Sequence, residues 1–202
     1  IEVEEFYDLP GLTGCMTCRV RLTDVRVPQA NLLGAEGEGV RLTLNAFMAS
    51  GASIGTFATA AARKAWEVAY EFASTQKRGG AAPIIDHQAV ADILTDTKGR
   101  IEAMRLLGWR ALDAVIAQAP AADELALHSK IFGSETGLAV VNDLVKVVGV
   151  TAYDTNFPLV HHLADALAYP IIEGSNIGVR RRQMQAVMTA GDFDPLAASG
   201  LA

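Results

Sequence analysis

The chain has 202 residues, half of them hydrophobic but only 6% aromatic, and a formal net charge of -6. That length suits one full domain with its own core and leaves little for a second, and the alanine- and leucine-rich balance favours close-packed helices over a β-sandwich. The acidic balance excludes a general nucleic-acid or anionic-membrane binder, because both need a basic surface to displace counterions.

Residues 1–36 read as strands and turns. Ile1-Glu2-Val3-Glu4-Glu5 lacks both the basic and the apolar region of a leader, and the missing Met and abrupt start in an acidic, strand-like segment suggest that residue 1 is not a natural start. No run of eighteen uninterrupted apolar residues follows, and a bacterial-type cytoplasm is the expected address. Cys18-Arg19-Val20-Arg21-Leu22-Thr23 alternates with the period of a half-buried strand, and Asp24-Val25-Arg26-Val27 predicts another that Pro28 stops. Cys15 and Cys18 have no second Cys pair or spaced His pair to complete a zinc site, so two buried or half-buried thiols are expected. So few strands must lean on the helices or be the end of a larger sheet.

From Val40 to about Lys77 the pattern turns helical, with Gly51 and Gly55 spaced for close helix approach or a local break. A second helix, from about Ile85 to Gln118, carries Val90, Leu94, Thr97, Ile101, Met104, Gly108, Ala111 and Val115 at alternating four and three residues, which draws one buried stripe. Ala119-Pro120 closes it. Asp123 can open the third helix, through Leu125, Ile131, Phe132, Leu138, Val141, Leu144 and Val148, with Gly149 suited to the position after its end. A shorter helix covers Pro158 to Ala168, and a fifth runs from Asn176, a capping residue, to about Thr189. The predicted architecture is mainly α: an up-down bundle of four main helices and a short one over residues 37–190, preceded by a β remnant at 1–36 and followed by a loose tail at 191–202.

Few residues in such a bundle can carry chemistry. His161 and His162 are adjacent, so a helix points them about 100° apart and they cannot share a metal. Glu36-Gly37-Glu38-Gly39 bears two negative charges and cannot cradle phosphate. Arg180, Arg181 and Arg182 open a helix, where the dipole disfavours cations, so at least one is expected to have a buried or interfacial partner. Between the last two helices, Ile171-Ile172-Glu173-Gly174 sets one carboxylate among apolar residues. A carboxylate held away from water is a stronger base toward a weakly acidic carbon, although a Glu-Gly pair is also what a solvated surface turn contains.

The run Tyr169-Pro170-Ile171-Ile172-Glu173-Gly174-Ser175-Asn176-Ile177-Gly178-Val179-Arg180-Arg181-Arg182-Gln183 resembles the C-terminal signature of the acyl-CoA dehydrogenase superfamily, and its second half is similar to the nitroalkane oxidase branch. Asp24-Val25-Arg26-Val27-Pro28-Gln29-Ala30-Asn31-Leu32-Leu33-Gly34 resembles that family's passage from the middle β-domain into its helical domain. Pro83-Ile84-Ile85-Asp86-His87-Gln88-Ala89-Val90 resembles the helix start whose glutamine contacts FAD from a neighbouring subunit.

The resemblance implies the C-terminal part of an FAD-dependent oxidoreductase. Glu173 would be the base that takes the substrate's α proton while a hydride passes to FAD, and the usual substrate would be an acyl-CoA thioester. Gln88, with His87 beside it, takes the glutamine position, although either also suits a solvated helix start. The Lys77-Arg78-Gly79-Gly80 form is that of the nitroalkane oxidase branch, and Arg78 becomes the flavin pyrophosphate contact. Of the family's Gln-x-x-Gly-Gly only Gly149 survives, and Gly174 and Ser175 match positions that pass close to the cofactor. Ser50 resembles a serine that nitroalkane oxidase places near its carboxylate, and it equally suits a close helix contact; Arg180 matches an arginine that pairs near the base there. That branch uses aspartate as base, whereas this chain carries Glu173, so the scaffold is similar to one branch and the base to the other. Two further implications are a homo-oligomer, dimer or tetramer, with FAD at the subunit interface, and the alternative of a helical oligomerisation module without activity of its own.

Overall fold

In the computed structural model, which describes residues 1–199, the only sheet among the described residues is the antiparallel pair β1 (Glu2–Phe6) and β2 (Cys18–Arg21). All of β1 is exposed, as befits two strands without a sheet to cover them. Val25 to Val27 form no strand, contrary to expectation, because no third strand stands beside them to accept their bonds. Cys15 is exposed and Cys18 half-buried, so the expectation of two shielded thiols holds for the second alone. The segment is moored at Gly11 and Leu12: the Leu12 N–H donates to Asp165 Oδ1 at 2.6 Å, and a Cβ on Gly11 would lie 2.5 Å from the Ala164 backbone.

Three long helices follow, α1 (Gly39–Thr75), α2 (Gln88–Ile116) and α3 (Ala122–Val148), then the short α4 (Pro158–Ala168) and α5 (Arg181–Met188). The expected bundle is present, but with three main helices and two short ones. Every residue of the expected α2 stripe is buried or half-buried. Phe132 on α3 is the exception among the expected core positions, being exposed. The run Ala122–Tyr153 is long and apolar enough to cross a membrane by length and composition, yet α3 packs along both α1 and α2 and buries thirteen residues, the position of a core helix. The tail is not loose as far as Ser199: Ala197 and Ala198 pack against an apolar cluster that includes Ala52, Ala111, Ala114 and Leu125, and Arg110 donates to the Ala198 carbonyl.

The crossing of α1 and α3 is set by residues without side chains. A Cβ on Gly55 would stand 2.2 Å from the Ser129 carbonyl oxygen, and one on Gly133 would stand 2.8 Å from the Gly55 Cα. Ser129 Oγ donates to the Ala52 carbonyl at 3.1 Å across the same contact. Gly55→Ala must therefore push the two backbones apart. We expect a loss of about 1–3 kcal/mol, read as a lowered urea midpoint at unchanged slope.

Candidate active site

The connector between α4 and α5 is folded on itself. Ile171 and Ile172 donate to the Ala168 carbonyl, both at 3.0 Å, and the Asn176 N–H returns to the Pro170 carbonyl at 3.0 Å. At its apex Glu173 has φ 51° and Gly174 φ 79°. Glycine adopts that left-handed region freely, whereas a glutamate there carries strain of roughly 1–3 kcal/mol, which surrounding contacts must hold.

The contacts come from Arg180. Asn176–Arg180 forms a π-helical turn before α5, and it turns the arginine back under the loop. Its Nε and Nη2 donate to the Glu173 carbonyl at 2.9 and 2.6 Å, Nη2 also to the Phe47 carbonyl at 2.7 Å, and Nη1 to Gln183 Oε1 at 3.0 Å. The side chain is 1% exposed, as the sequence reading anticipated for the first arginine of the triplet. Burial holds the guanidinium below its ordinary value, and the Glu173 charge opposes that shift. Arg180 reaches the Glu173 backbone, not its carboxylate.

The carboxylate meets Ser50 instead. Ser50 Oγ on α1 donates to Glu173 Oε2 at 2.7 Å, a bond to a charged acceptor across 123 positions of chain. Gly51 beside it lies against the guanidinium, whose Nη2 would be in van der Waals contact, at 3.5 Å, with a Cβ there. Glu173 is half-buried, and the described cavities are lined by other residues. An apolar one of about 300 Å³ lies beside it, between Leu9–Leu12 and Ala168, Ile171 and Ile172.

Sequence reasoning missed the residues beneath the loop. Lys130 on α3 is fully buried and donates to the Tyr169 carbonyl at 2.8 Å and to Asn176 Oδ1 at 2.9 Å. Asn176 does not cap the last helix as expected; its Nδ2 donates to Ser134 Oγ at 3.0 Å and Glu135 Oε1 at 3.1 Å, and Ser175 takes the cap position, accepting from the Gly178 N–H. Glu135 in turn pairs with Arg181 at 2.7 Å. Burial pushes the Lys130 ammonium down to about 8, helped by Arg180 and opposed by Glu135 and Glu173. The signal was in the sequence: Leu127, Lys130, Ser134, Gly137, Val141, Leu144 and Val148 recur at three and four residues, so a lysine falls on the buried stripe of α3.

The remaining expected residues gather at the far end of the bundle. Arg78 Nη2 donates to the Val148 carbonyl and to Thr151 Oγ1, both at 2.8 Å, and its guanidinium stands 4.9 Å from the centroid of the Phe72 ring. Gly149 therefore lies next to Arg78, with open space where a Cβ would be. Exposed His87 caps α2, and Gln88 beside it, also exposed, donates to Asp92 at 2.7 Å. Ser50 and the C-terminus of α1 at Thr75 are separated by twenty-five positions, about 37 Å of helix. One chain thus brings Ser50, Glu173, Gly174, Ser175 and Arg180 together, and separately Arg78 and Gly149 with the α2 start, but not the two groups to each other.

Residues at the far end suit an anionic group such as phosphate: Arg78 is an exposed residue whose two bonds both use Nη2, and the open face of Gly149 lets an oxyanion approach the backbone. A family model described as acyl-CoA dehydrogenase, C-terminal domain, matches residues 37–189. Nitroalkane oxidase of Fusarium oxysporum is 40% identical over 201 residues, covering 94% of this chain and 45% of that protein. Cyclohexane-1-carbonyl-CoA dehydrogenase of Geobacter metallireducens is 32% identical over 166 residues, covering 82% of this chain and 43% of that protein. A solved structure of the flavoprotein nitroalkane oxidase superposes with a TM-score of 0.90 at 36% identity over 100% of this chain and 48% of its own; it concerns the roles of an aspartate and an arginine, seven positions apart, in that enzyme's reaction. The chain thus spans about half the length of the curated relatives it matches. With a helical bundle of this order and a family match running from the start of α1 to the end of α5, the chain belongs to the acyl-CoA dehydrogenase family, as its C-terminal domain.

Proposed function

We propose that the chain is the C-terminal part of an FAD-dependent oxidoreductase in which Glu173 takes a proton from a carbon activated by a neighbouring electron-withdrawing group. The observation that carries this reading is a strained glutamate whose carbonyl is clamped by a buried arginine and whose carboxylate is aimed by a serine. Bound FAD supplies the two-electron acceptor that side chains lack. Glu173 breaks the C–H bond by forming its own O–H, Ser50 orients the carboxylate and stabilises its charge beforehand, and Arg180 keeps the backbone in place. The few bonds between a flavin ring and its pyrophosphate cover only a fraction of the distance between the Glu173 and Arg78 groups. FAD is therefore shared between copies of the chain, with Glu173, Gly174 and Ser175 at the ring and Arg78, Gly149, His87 and Gln88 from a neighbour at the phosphates.

An acyl-CoA thioester is the first substrate class, because the base is a glutamate. A nitroalkane is the second, favoured by the 40% identity to a nitroalkane oxidase and by the spacing of seven that Glu173 and Arg180 share with that enzyme's aspartate and arginine. Anaerobic mixing of the full-length enzyme with butyryl-CoA and with nitroethane decides between them by which one bleaches the flavin. Full-length protein that is colourless and that FAD cannot titrate would leave only a helical assembly module. Ser50→Ala removes a hydrogen bond to a charged group, about 1.5–3 kcal/mol, so flavin reduction is expected to slow by roughly 10- to 100-fold with the overall fold retained. Stopped-flow absorbance measures this, and a rate equal to that of the unaltered enzyme removes Ser50 from the mechanism.

A further inference from the structure

We propose that Lys130 is a positioning residue of the Glu173 site: it ties both ends of the connector, at the Tyr169 carbonyl and the Asn176 side chain, so that Arg180 can fix the apex between them. This rests on the reading of Glu173 as the base. Both hydrogen bonds that the Lys130 amine donates go to the loop and neither to the Glu173 carboxylate: one bond before Pro170, one after Ser175. Asn176 passes the tie on to Ser134 and Glu135 of α3, so the exit of the loop is anchored through two links to the same helix. Arg180 alone holds only the middle, at Glu173. A segment with two successive left-handed residues needs its ends fixed as well as its apex, since moving either end lets the strained pair relax and carries the carboxylate away from Ser50.

A burial of this kind has a cost that packing alone does not explain. An apolar residue at position 130 would complete the α3 stripe without desolvating an ammonium. What the lysine adds is two directed bonds to a loop on another element. Ser134, one turn on, donates to the Lys130 carbonyl at 2.6 Å, and Gly51 stands so close that a Cβ there would be in contact with Lys130 Cγ at 3.7 Å.

The test uses the full-length enzyme with Lys130→Met, which keeps the stem and loses the donors, and Asn176→Ala, which removes only the exit tie. Amide hydrogen exchange across residues 169–179 is read first: each variant should exchange there about tenfold faster, with α2 unchanged. Whichever of butyryl-CoA and nitroethane reduces the flavin is then used to measure the limiting rate and KM. We expect Lys130→Met to lower the limiting rate by about 10²-fold at a KM changed less than about threefold. In a Glu173→Gln background the same change should lower it no further, because no carboxylate remains to be misplaced. Exchange and rate both within about twofold of the unaltered enzyme overturn the proposal, as does an equal loss in both backgrounds, which marks a merely structural lysine. Should Lys130→Met fail to fold, Asn176→Ala decides by the same readings. If Glu173→Gln itself leaves flavin reduction unchanged, or if neither compound reduces the flavin, the base assignment falls or stands apart and the exchange measurement alone decides the tie.

Discussion

Glu173→Gln in the full-length enzyme is expected to slow substrate-dependent flavin reduction by about 10²- to 10⁴-fold, the range a positioned general base contributes. The amide keeps the shape and can still accept from Ser50, so the connector, Arg180 and the bundle should be undisturbed. Substrate affinity should therefore change little, and a spectral titration of the oxidised flavin would show binding without bleaching. Loss of binding together with rate would point to a structural glutamate and against proton abstraction.

Arg180→Met has the largest expected effect on stability. It leaves the Glu173 and Phe47 carbonyls without the donors they have now, and it removes the contact that holds a left-handed glutamate. Two part-buried acceptors losing a charged donor cost about 2–5 kcal/mol together, which for a chain of this size lowers the melting temperature by roughly 5–15 °C. Activity should fall with it, since the apex is then free to move. Arg180→Lys is expected to restore little, because a single ammonium cannot address the Glu173 carbonyl, the Phe47 carbonyl and Gln183 from one fork. A lysine variant that melts and turns over like the unaltered enzyme would show that the fork geometry is dispensable.

How much of this was readable without coordinates depends on the range of the interaction. The α2 stripe, the Pro158 start of α4 and the stop at Gly149 are local patterns, and each is found where periodicity or capping places it. Val25 to Val27 look like a strand because alternation describes a residue's preference and not whether a neighbour exists to pair with it. Asn176 looks like a cap because its type is right, but its amide is drawn inward by Lys130, Ser134 and Glu135, which lie more than forty positions away. Ser50 came from family resemblance alone, whereas Glu173 already stood out as a single carboxylate among apolar residues; nothing in either local sequence foretells a bond between them. Lys130 was visible as a charge out of place on an apolar stripe, and stripes are usually read for their apolar members alone.

Two acceptors face the Lys130 amine, and an uncharged amine still has two N–H groups to give them. With its proton held down to about 8, alkaline solution can strip the positive charge from beneath the loop while both bonds survive. In this molecule the electric field at the glutamate and the shape of the peptide carrying it thus have different controls: one follows acidity, the other the hydrogen bonds that hold the connector, which the amine can keep when it is uncharged.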